Sequence, residues 1–358
     1  MIPVTKAYLP NKEKYQGYVD QIFDSAWLTN NGRLLQTLEQ RLKEYLGVKH
    51  VICVANGSLA LQLSYKALEL KGEVITSPFS FAATTSTLAW EGLKPVFADI
   101  DPDSFNLGPD NIEALITQET CAIVPVHVFG NPCEVEKIQA IADKYSLKVV
   151  YDAAHAFGSQ YKGESVLNYG DISTLSFHAT KLFHTIEGGA IITNDDALAE
   201  KVRRLINFGI TSPTTIESVG TNAKMNEFEA AMGLCVLDDI ESIRSERKRV
   251  WQTYEKTLSG SGLAFQQWNK EGDNNHAYAP VLFESEAKLL EAEARLKEND
   301  ILPRRYFYPS LDTLDYLESK QVCDQSRSVA SRILCLPIYP SLKDQEVLYA
   351  SNKLKEEL

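Results

Sequence analysis

The stretch Asp171-Ile172-Ser173-Thr174-Leu175-Ser176-Phe177-His178-Ala179-Thr180-Lys181 is followed, after Gly188-Gly189, by Ala190-Ile191-Ile192-Thr193. Two short apolar runs bracket a polar break that carries a lysine. Runs of this length, largely apolar and bounded by turn residues, read as strands buried on both faces. Upstream, Val149-Val150-Tyr151-Asp152 is a third such run, and it ends in a carboxylate. Buried strands of this kind need helices on each side, which points to an α/β architecture with a mainly parallel sheet.

Working outward, the same alternation extends from about residue 35 to 195. Leu35, Leu38, Leu42 and Leu46 recur at helical spacing, with Gly47 placed to end that helix. Val51–Val54 reads as a strand, followed by Asn56-Gly57-Ser58 and a helical run to about Leu70. Further strands are expected at Glu73–Thr76, Pro95–Ala98, Ala122–Val128, Lys148–Asp152, Ile172–Phe177 and Ala190–Thr193. Val135, Ile138, Ala142 and Tyr145 form an apolar stripe on an intervening helix. Beyond residue 235 the texture changes. Asp238–Leu258 reads as a long charged helix, then Ala277–Phe283 (strand), Glu284–Glu298 (helix), Ile333–Leu336 (strand) and Asp344–Leu358 (helix). The 358 residues exceed the size at which one core usually stops growing. The expectation is a larger α/β unit over 1–237, N-terminal segment included, and a linking helix with a smaller α+β unit over 238–358.

The composition, 44% hydrophobic and 23% charged, is ordinary for a globular enzyme. A net charge of −12 disfavours nucleic acid and anionic membrane as partners. It leaves room for an anionic ligand, because phosphate sites are built locally from backbone N–H groups. The first residues lack a signal peptide's apolar core, and no run has the length of a membrane span. Six scattered cysteines without a Cys-x-x-Cys fit reduced thiols in the cytoplasm better than disulfides or a metal site.

Several segments carry candidate chemistry. Asn56-Gly57-Ser58, between strand and helix, suits a phosphate: Gly57 allows close approach, Ser58 offers a hydroxyl, and the helix start offers free N–H groups. The plainer reading is a turn with Ser58 as N-cap. Phe81, in Pro78-Phe79-Ser80-Phe81-Ala82-Ala83-Thr84, either stacks on a planar ring or packs in the core. Asp152 at a strand's carboxyl end faces the crevice where α/β sheets bind ligands, and there it can pair with a pyridinium nitrogen. It can equally cap a helix, whereas a metal lacks companion ligands. His155 either faces a cofactor or is an interior histidine. Ser176 is placed to donate to a phosphate on the same sheet edge. Lys181 is either an exposed loop lysine or a sheltered amine whose pKa falls with desolvation, as a Schiff-base nucleophile requires. Arg304 and Arg305 offer cationic forks for a diphosphate or carboxylate, or form an exposed pair.

Taken in order, these stretches resemble the sugar-nucleotide aminotransferases of the fold-type I pyridoxal-phosphate superfamily. The resemblance also runs through Leu28-Thr29-Asn30-Asn31-Gly32, Asp152-Ala153-Ala154-His155-Ala156, Glu187-Gly188-Gly189-Ala190 and Gly220-Thr221-Asn222-Ala223-Lys224-Met225-Asn226-Glu227. It implies a three-layer α/β/α large domain and a smaller C-terminal domain. It implies pyridoxal 5'-phosphate as cofactor, with the pyridoxamine form between half-reactions. Lys181 would form the Schiff base, Asp152 hold the ring nitrogen, Phe81 stack on the ring, and His155 lie near the phenolic oxygen. Gly57, Ser58 and Ser176 would hold the phosphate, joined by Asn222 from the partner chain of a homodimer. The implied reaction moves an amino group from L-glutamate to a keto group on a nucleotide-linked deoxysugar. Ser176–His184 and Pro303–Pro309 are similar to members that aminate C4 of dTDP-4-keto-6-deoxyglucose, with His178, Arg304 and Arg305 as candidate substrate contacts. Related members aminate C3 or a UDP-linked sugar, and a surface polysaccharide is their usual destination. One departure is Arg33, where such proteins often carry proline beside the sugar-nucleotide.

Three rivals are disfavoured. Dehydratase relatives replace the lysine with histidine or bind an iron–sulfur cluster, against Lys181 and the scattered cysteines. A sensor derived from the same fold would lose site residues or add a basic DNA-binding segment. A Rossmann dehydrogenase would show Gly-x-Gly-x-x-Gly after its first strand, and this chain does not.

Overall fold

The computed structural model describes residues 1–317 and 321–356. The chain opens with β1 (Ile2–Pro3) and two helices, α1 (Lys12–Ser25) and α2 (Arg33–Leu46). On α2 the leucine stripe is buried, and Gly47 ends the helix at φ 63°, a left-handed position glycine takes without strain. Alternation then follows: β2 (His50–Val54), α3 (Gly57–Ala67), β3 (Glu73–Thr76), α4 (Ala82–Trp90), β4 (Lys94–Phe97), β5 (Thr120–Val124), α5 (Val135–Tyr145) and β6 (Lys148–Asp152). A small hairpin, β7 (Gln160–Tyr161) and β8 (Glu164–Ser165), precedes β9 (Ile172–Ser176) and β10 (Gly189–Thr193).

Seven of these strands form one sheet in the order β2-β10-β9-β6-β5-β3-β4. Every neighbouring pair is parallel except those of β10, which runs antiparallel to both β2 and β9. The reversal has a local cause. A parallel return needs a crossover, usually a helix, whereas residues 177–188 form an irregular loop that turns the chain straight back. That loop, with Lys181, therefore lies at the carboxyl edge of the sheet, where β2, β3 and β6 also end. Helices cover both faces: α2 and α5 on one, α3 and α6 (Asp196–Leu205) on the other. This is the α/β/α arrangement of the fold-type I transferases.

Several boundaries differ from the expectation. The strand read at Ala122–Val128 stops at Val124, because Pro125 has no N–H to continue the ladder. The helix after Gly57 ends at Ala67. On α5, Tyr145 is exposed rather than part of the stripe of Val135, Ile138 and Ala142. The hairpin β11 (Ile210–Ser212) and β12 (Thr215–Ile216) is followed by α7 (Glu227–Asp238), which is apolar on all sides and buried. The charged helix is therefore α8 (Ile240–Leu258), set off from α7 at Asp239.

The second unit contains β13 (Ala264–Phe265), β14 (Pro280–Leu282), α9 (Glu286–Glu298), β15 (Ile301–Leu302), α10 (Asp324–Arg332), β16 (Ile333–Cys335) and α11 (Asp344–Lys355). Residues 277–279 precede β14 as irregular chain, and the last two residues of the expected terminal helix lie outside the described residues. β13, β14 and β16 form an antiparallel sheet against α8, α9 and α11. Ile2 belongs to this second core and β1 pairs with β15, so the extreme N-terminus packs with the C-terminal unit rather than with the first. A separate apolar cluster, with Phe79 and Phe129 from one unit and Phe307 and Val329 from the other, joins the two beside the cleft.

Candidate active site

At the end of β2 the side chain of Asn56, not Ser58, caps α3 by accepting the Leu59 N–H at 2.8 Å. The Ala60 N–H bonds the Asn56 carbonyl. Among the described residues the N–H groups of Gly57 and Ser58 have no protein acceptor, and both residues line a cleft of about 270 Å³. A Cβ on Gly57 would sit 3.0 Å from the Ser176 Cβ, and one on Gly189 would sit 2.7 Å from the Asn56 carbonyl carbon. These two glycines let the turn rest directly on the ends of β9 and β10. Ser176 is thereby brought beside the free N–H groups, with no hydrogen-bond partner for its hydroxyl among the described residues. Two unpaired amides, two serine hydroxyls and a helix N-terminus fit a phosphate.

Asp152 is 6% exposed. Its backbone is fixed on both sides, its N–H donating to the Pro125 carbonyl at 2.9 Å and its own carbonyl accepting from His127 N–H at 3.1 Å. One carboxylate oxygen accepts from the Thr84 hydroxyl at 2.7 Å, the other from the Ala154 N–H at 3.2 Å. Burial pushes this carboxyl's pKa up, opposed by those two hydrogen bonds and by the charge of Lys181. A buried carboxylate held this way gains most from a cation in the cleft, as a protonated pyridine nitrogen supplies.

Lys181 follows a turn closed by its own N–H on the His178 carbonyl at 2.8 Å, while Phe177 N–H bonds the Gly188 carbonyl. Its side chain lines the cleft, and Nζ donates to the Tyr278 hydroxyl at 3.3 Å. Burial lowers its pKa to about 8, the charge of Arg304 adding to the effect and Asp152 opposing it. At that value roughly a tenth of the amine is free at pH 7, against under a thousandth for an ordinary lysine. Lys181 is half-buried in the cleft rather than projecting from an exposed loop.

Phe81 is 55% exposed, yet it lines the cleft at the head of α4 and presents an apolar ring there. His155 is buried, and its Nδ1 accepts the Phe129 N–H at 3.2 Å. That bond assigns the proton to Nε2, which has no partner among the described residues. Burial holds the imidazole pKa well below normal, so the ring is a neutral donor facing the cleft. His178 lines the cleft as well, with Nδ1 2.8 Å from the Thr180 hydroxyl. Arg304 and Arg305 part company. The Arg304 guanidinium lines the cleft, stacked over Tyr306 at 4.4 Å. Arg305 is turned away, bonded to Glu286 at 2.6 Å and to the Ser331 carbonyl at 3.0 Å, and does not reach the cleft. Asn222 is exposed, bridged to Asn207, and outside this chain's own cleft. No cluster of three His, Cys, Asp or Glu side chains suited to a metal occurs among the described residues.

The sequence profile of the DegT/DnrJ/EryC1/StrS aminotransferases matches residues 10–355. The chain belongs to that family. It is 44% identical over 359 aligned residues to a dTDP-4-amino-4,6-dideoxy-D-glucose transaminase of Shigella dysenteriae, covering 99% of this chain and 98% of that one. A transaminase of the same name from Escherichia coli is 42% identical, with the same coverage. The solved structure of DesI with its TDP-sugar product superposes with a TM-score of 0.94 at 35% identity, covering 99% of this chain and 92% of that one. The protein is thus a sugar-nucleotide aminotransferase, and its cofactor is pyridoxal 5'-phosphate.

Within this aminotransferase, three contributors escaped the sequence reading. Thr84 lay in a quoted motif, but nothing local said that its hydroxyl meets Asp152. Asn56 takes the cap that the sequence assigns to Ser58. Tyr278 falls in the run Ala277–Phe283 expected as a strand, which carries no functional motif, and only the packing of the second unit brings it to Lys181.

Proposed function

We propose that the protein moves the amino group of L-glutamate to C4 of dTDP-4-keto-6-deoxyglucose. The observation that carries this reading is near full-length 44% identity to a transaminase named for the 4-amino product. The cleft chemistry is consistent with it. Gly57 and Ser58 N–H groups with the Ser58 and Ser176 hydroxyls bind the cofactor phosphate, Asp152 holds the ring nitrogen, and Phe81 covers one ring face. The His155 Nε2–H donates to the phenolic oxygen. Pyridoxal phosphate, when bound, supplies an electron sink and carries the amino group between half-reactions. Lys181 Nζ takes the proton from the donor's α-carbon and, in the reverse sense, returns one to the sugar carbon. Arg304 and His178 face the anionic substrate. Asn222 serves the neighbouring cleft of a homodimer, a role favoured by its exposure and by the apolar surface of Ile216 and Val219 nearby, 72% and 90% exposed. Residues 1–237, apart from the β1 segment that packs with the second unit, and residues 238–358 act as the two units flanking the cleft. The work is cytoplasmic, and the product feeds a surface polysaccharide such as O-antigen.

The test is incubation with L-glutamate and a panel of dTDP-, UDP- and GDP-linked 3- and 4-keto sugars, with NMR of the product. An equatorial or axial amine at C4 of the dTDP sugar is the expected result. An amine at C3, or turnover restricted to another nucleotide, overturns the substrate while leaving the chemistry standing.

A further inference from the structure

Tyr278 is the one hydrogen-bond partner of the Lys181 amine among the described residues, at 3.3 Å. Its position is set from two sides. Asn275 Nδ2 donates to the His155 carbonyl at 2.7 Å and to the Phe157 carbonyl at 3.2 Å, while its Oδ1 accepts the Ala277 N–H at 3.1 Å. This fastens the segment to the turn that follows Asp152. From behind, Arg247 of α8 donates to the Ala277 carbonyl at 3.1 Å. Arg247 is 3% exposed, has no carboxylate partner among the described residues, and leaves its Nε unpaired. Burying a guanidinium without a counter-charge is costly, and the carbonyl it grips is the one preceding Tyr278. The Tyr278 ring also rests against His155, with centroids 4.6 Å apart.

We infer that Tyr278 is a catalytic residue of this aminotransferase: its hydroxyl holds one N–H of Lys181 and so aims the rest of the amine at the reacting carbon. Burial raises the phenol's pKa, so the group stays neutral. A neutral acceptor orients the amine without trapping its proton, whereas a carboxylate at this place would keep the lysine charged. When Lys181 takes a proton from carbon, the new N–H forms on Nζ, the C–H bond breaks, and the Tyr278 O–H is unchanged. Arg247 and Asn275 are positioning residues for it.

The inference rests on the aminotransferase reading, and its first test does not. In cofactor-stripped protein, competitive acylation of Lys181 read by peptide mass spectrometry across pH gives the amine's titration midpoint. Tyr278→Phe should move that midpoint down, because the ammonium loses its acceptor. In the reconstituted enzyme, the same variant should lose roughly ten- to a hundredfold in kcat with both KM values within about twofold. Arg247→Lys should shift both readouts the same way by less, and it serves if the phenylalanine variant does not fold. A folded Tyr278→Phe protein with wild-type titration and kcat overturns the inference. So does Arg247→Lys with both unchanged, when it is the variant that must decide. A wild-type protein that aminates no keto sugar would instead sink the functional reading and leave the titration result intact.

Discussion

The two walls of the cleft are built on different terms. One is the carboxyl edge of the seven-stranded sheet, where Gly57, Asp152, Ser176 and Lys181 each sit within a few residues of a strand end. The other belongs to the second unit, where Tyr278, Tyr306 and Phe307 lie on irregular chain and Arg304 is held by a single backbone bridge to Cys335 of β16. Strand ends are fixed by a ladder of hydrogen bonds, which suits the proposed contacts to a rigid ring and phosphate. Loop residues are placed by side-chain bonds such as those of Asn275 and Arg247, which suits contacts to a variable substrate or to the moving lysine. The sheet wall should therefore govern cofactor and chemistry, and the loop wall substrate and alignment.

Mutations can break that division. The largest effect belongs to Lys181→Ala, for which kcat should fall by about 10⁴ or more in a single-turnover assay. In the wild-type protein the rate of capturing added cofactor should rise with pH and level off above about 8. The sign follows from the lowered pKa: the attacking amine accumulates as pH climbs to that value, and is lost to protonation below it. Stopped-flow absorbance would check this, and a rate still climbing steeply beyond pH 9.5 or so, near an unperturbed lysine, would contradict it.

Asp152→Asn comes next, with a loss of roughly 10²–10³ in kcat, since an amide cannot favour a charged ring nitrogen. Gly57→Ala is smaller. Its added Cβ meets Ser176 at 3.0 Å, and cofactor affinity measured by equilibrium dialysis should drop about tenfold, with kcat at saturating cofactor close to normal. If kcat falls instead, the sheet wall is not separable into phosphate and chemistry.

The sharpest contrast within the loop wall is also the smallest in size. Arg304→Ala should raise KM for the nucleotide-sugar or glutamate about tenfold, through loss of a charged contact in the cleft. Arg305→Ala should leave both KM values alone and cost about 1 kcal/mol or less of stability by denaturant melting, because its ion pair with Glu286 is partly exposed. Equal kinetic effects from the two neighbours would erase the distinction between them.

Much of the sheet wall was legible from residue order. Apolar runs of strand length locate Asp152 and Ser176 at strand ends, and the Gly-Gly pair after Lys181 marks a turn. The loop wall was legible only as chemistry without address. Arg304 and Arg305 are adjacent and identical in type, so no sequence rule separates the one in the cleft from the one on Glu286. The antiparallel turn of β10 was hidden for a related reason, since an apolar run reads the same in either direction.

By itself, then, the sequence determined the strands, the helices that cover them, and the acid, lysine and serines at one sheet edge. Those are consequences of periodicity and of strand ends, which act over a few residues. Tertiary structure alone decided that Asn56 caps α3, that Thr84 meets Asp152, and that Tyr278 reaches Lys181. Each pairing joins groups 68 or more residues apart, or turns on a competition for one cap. Such outcomes depend on how whole layers dock, which no local pattern of side chains encodes.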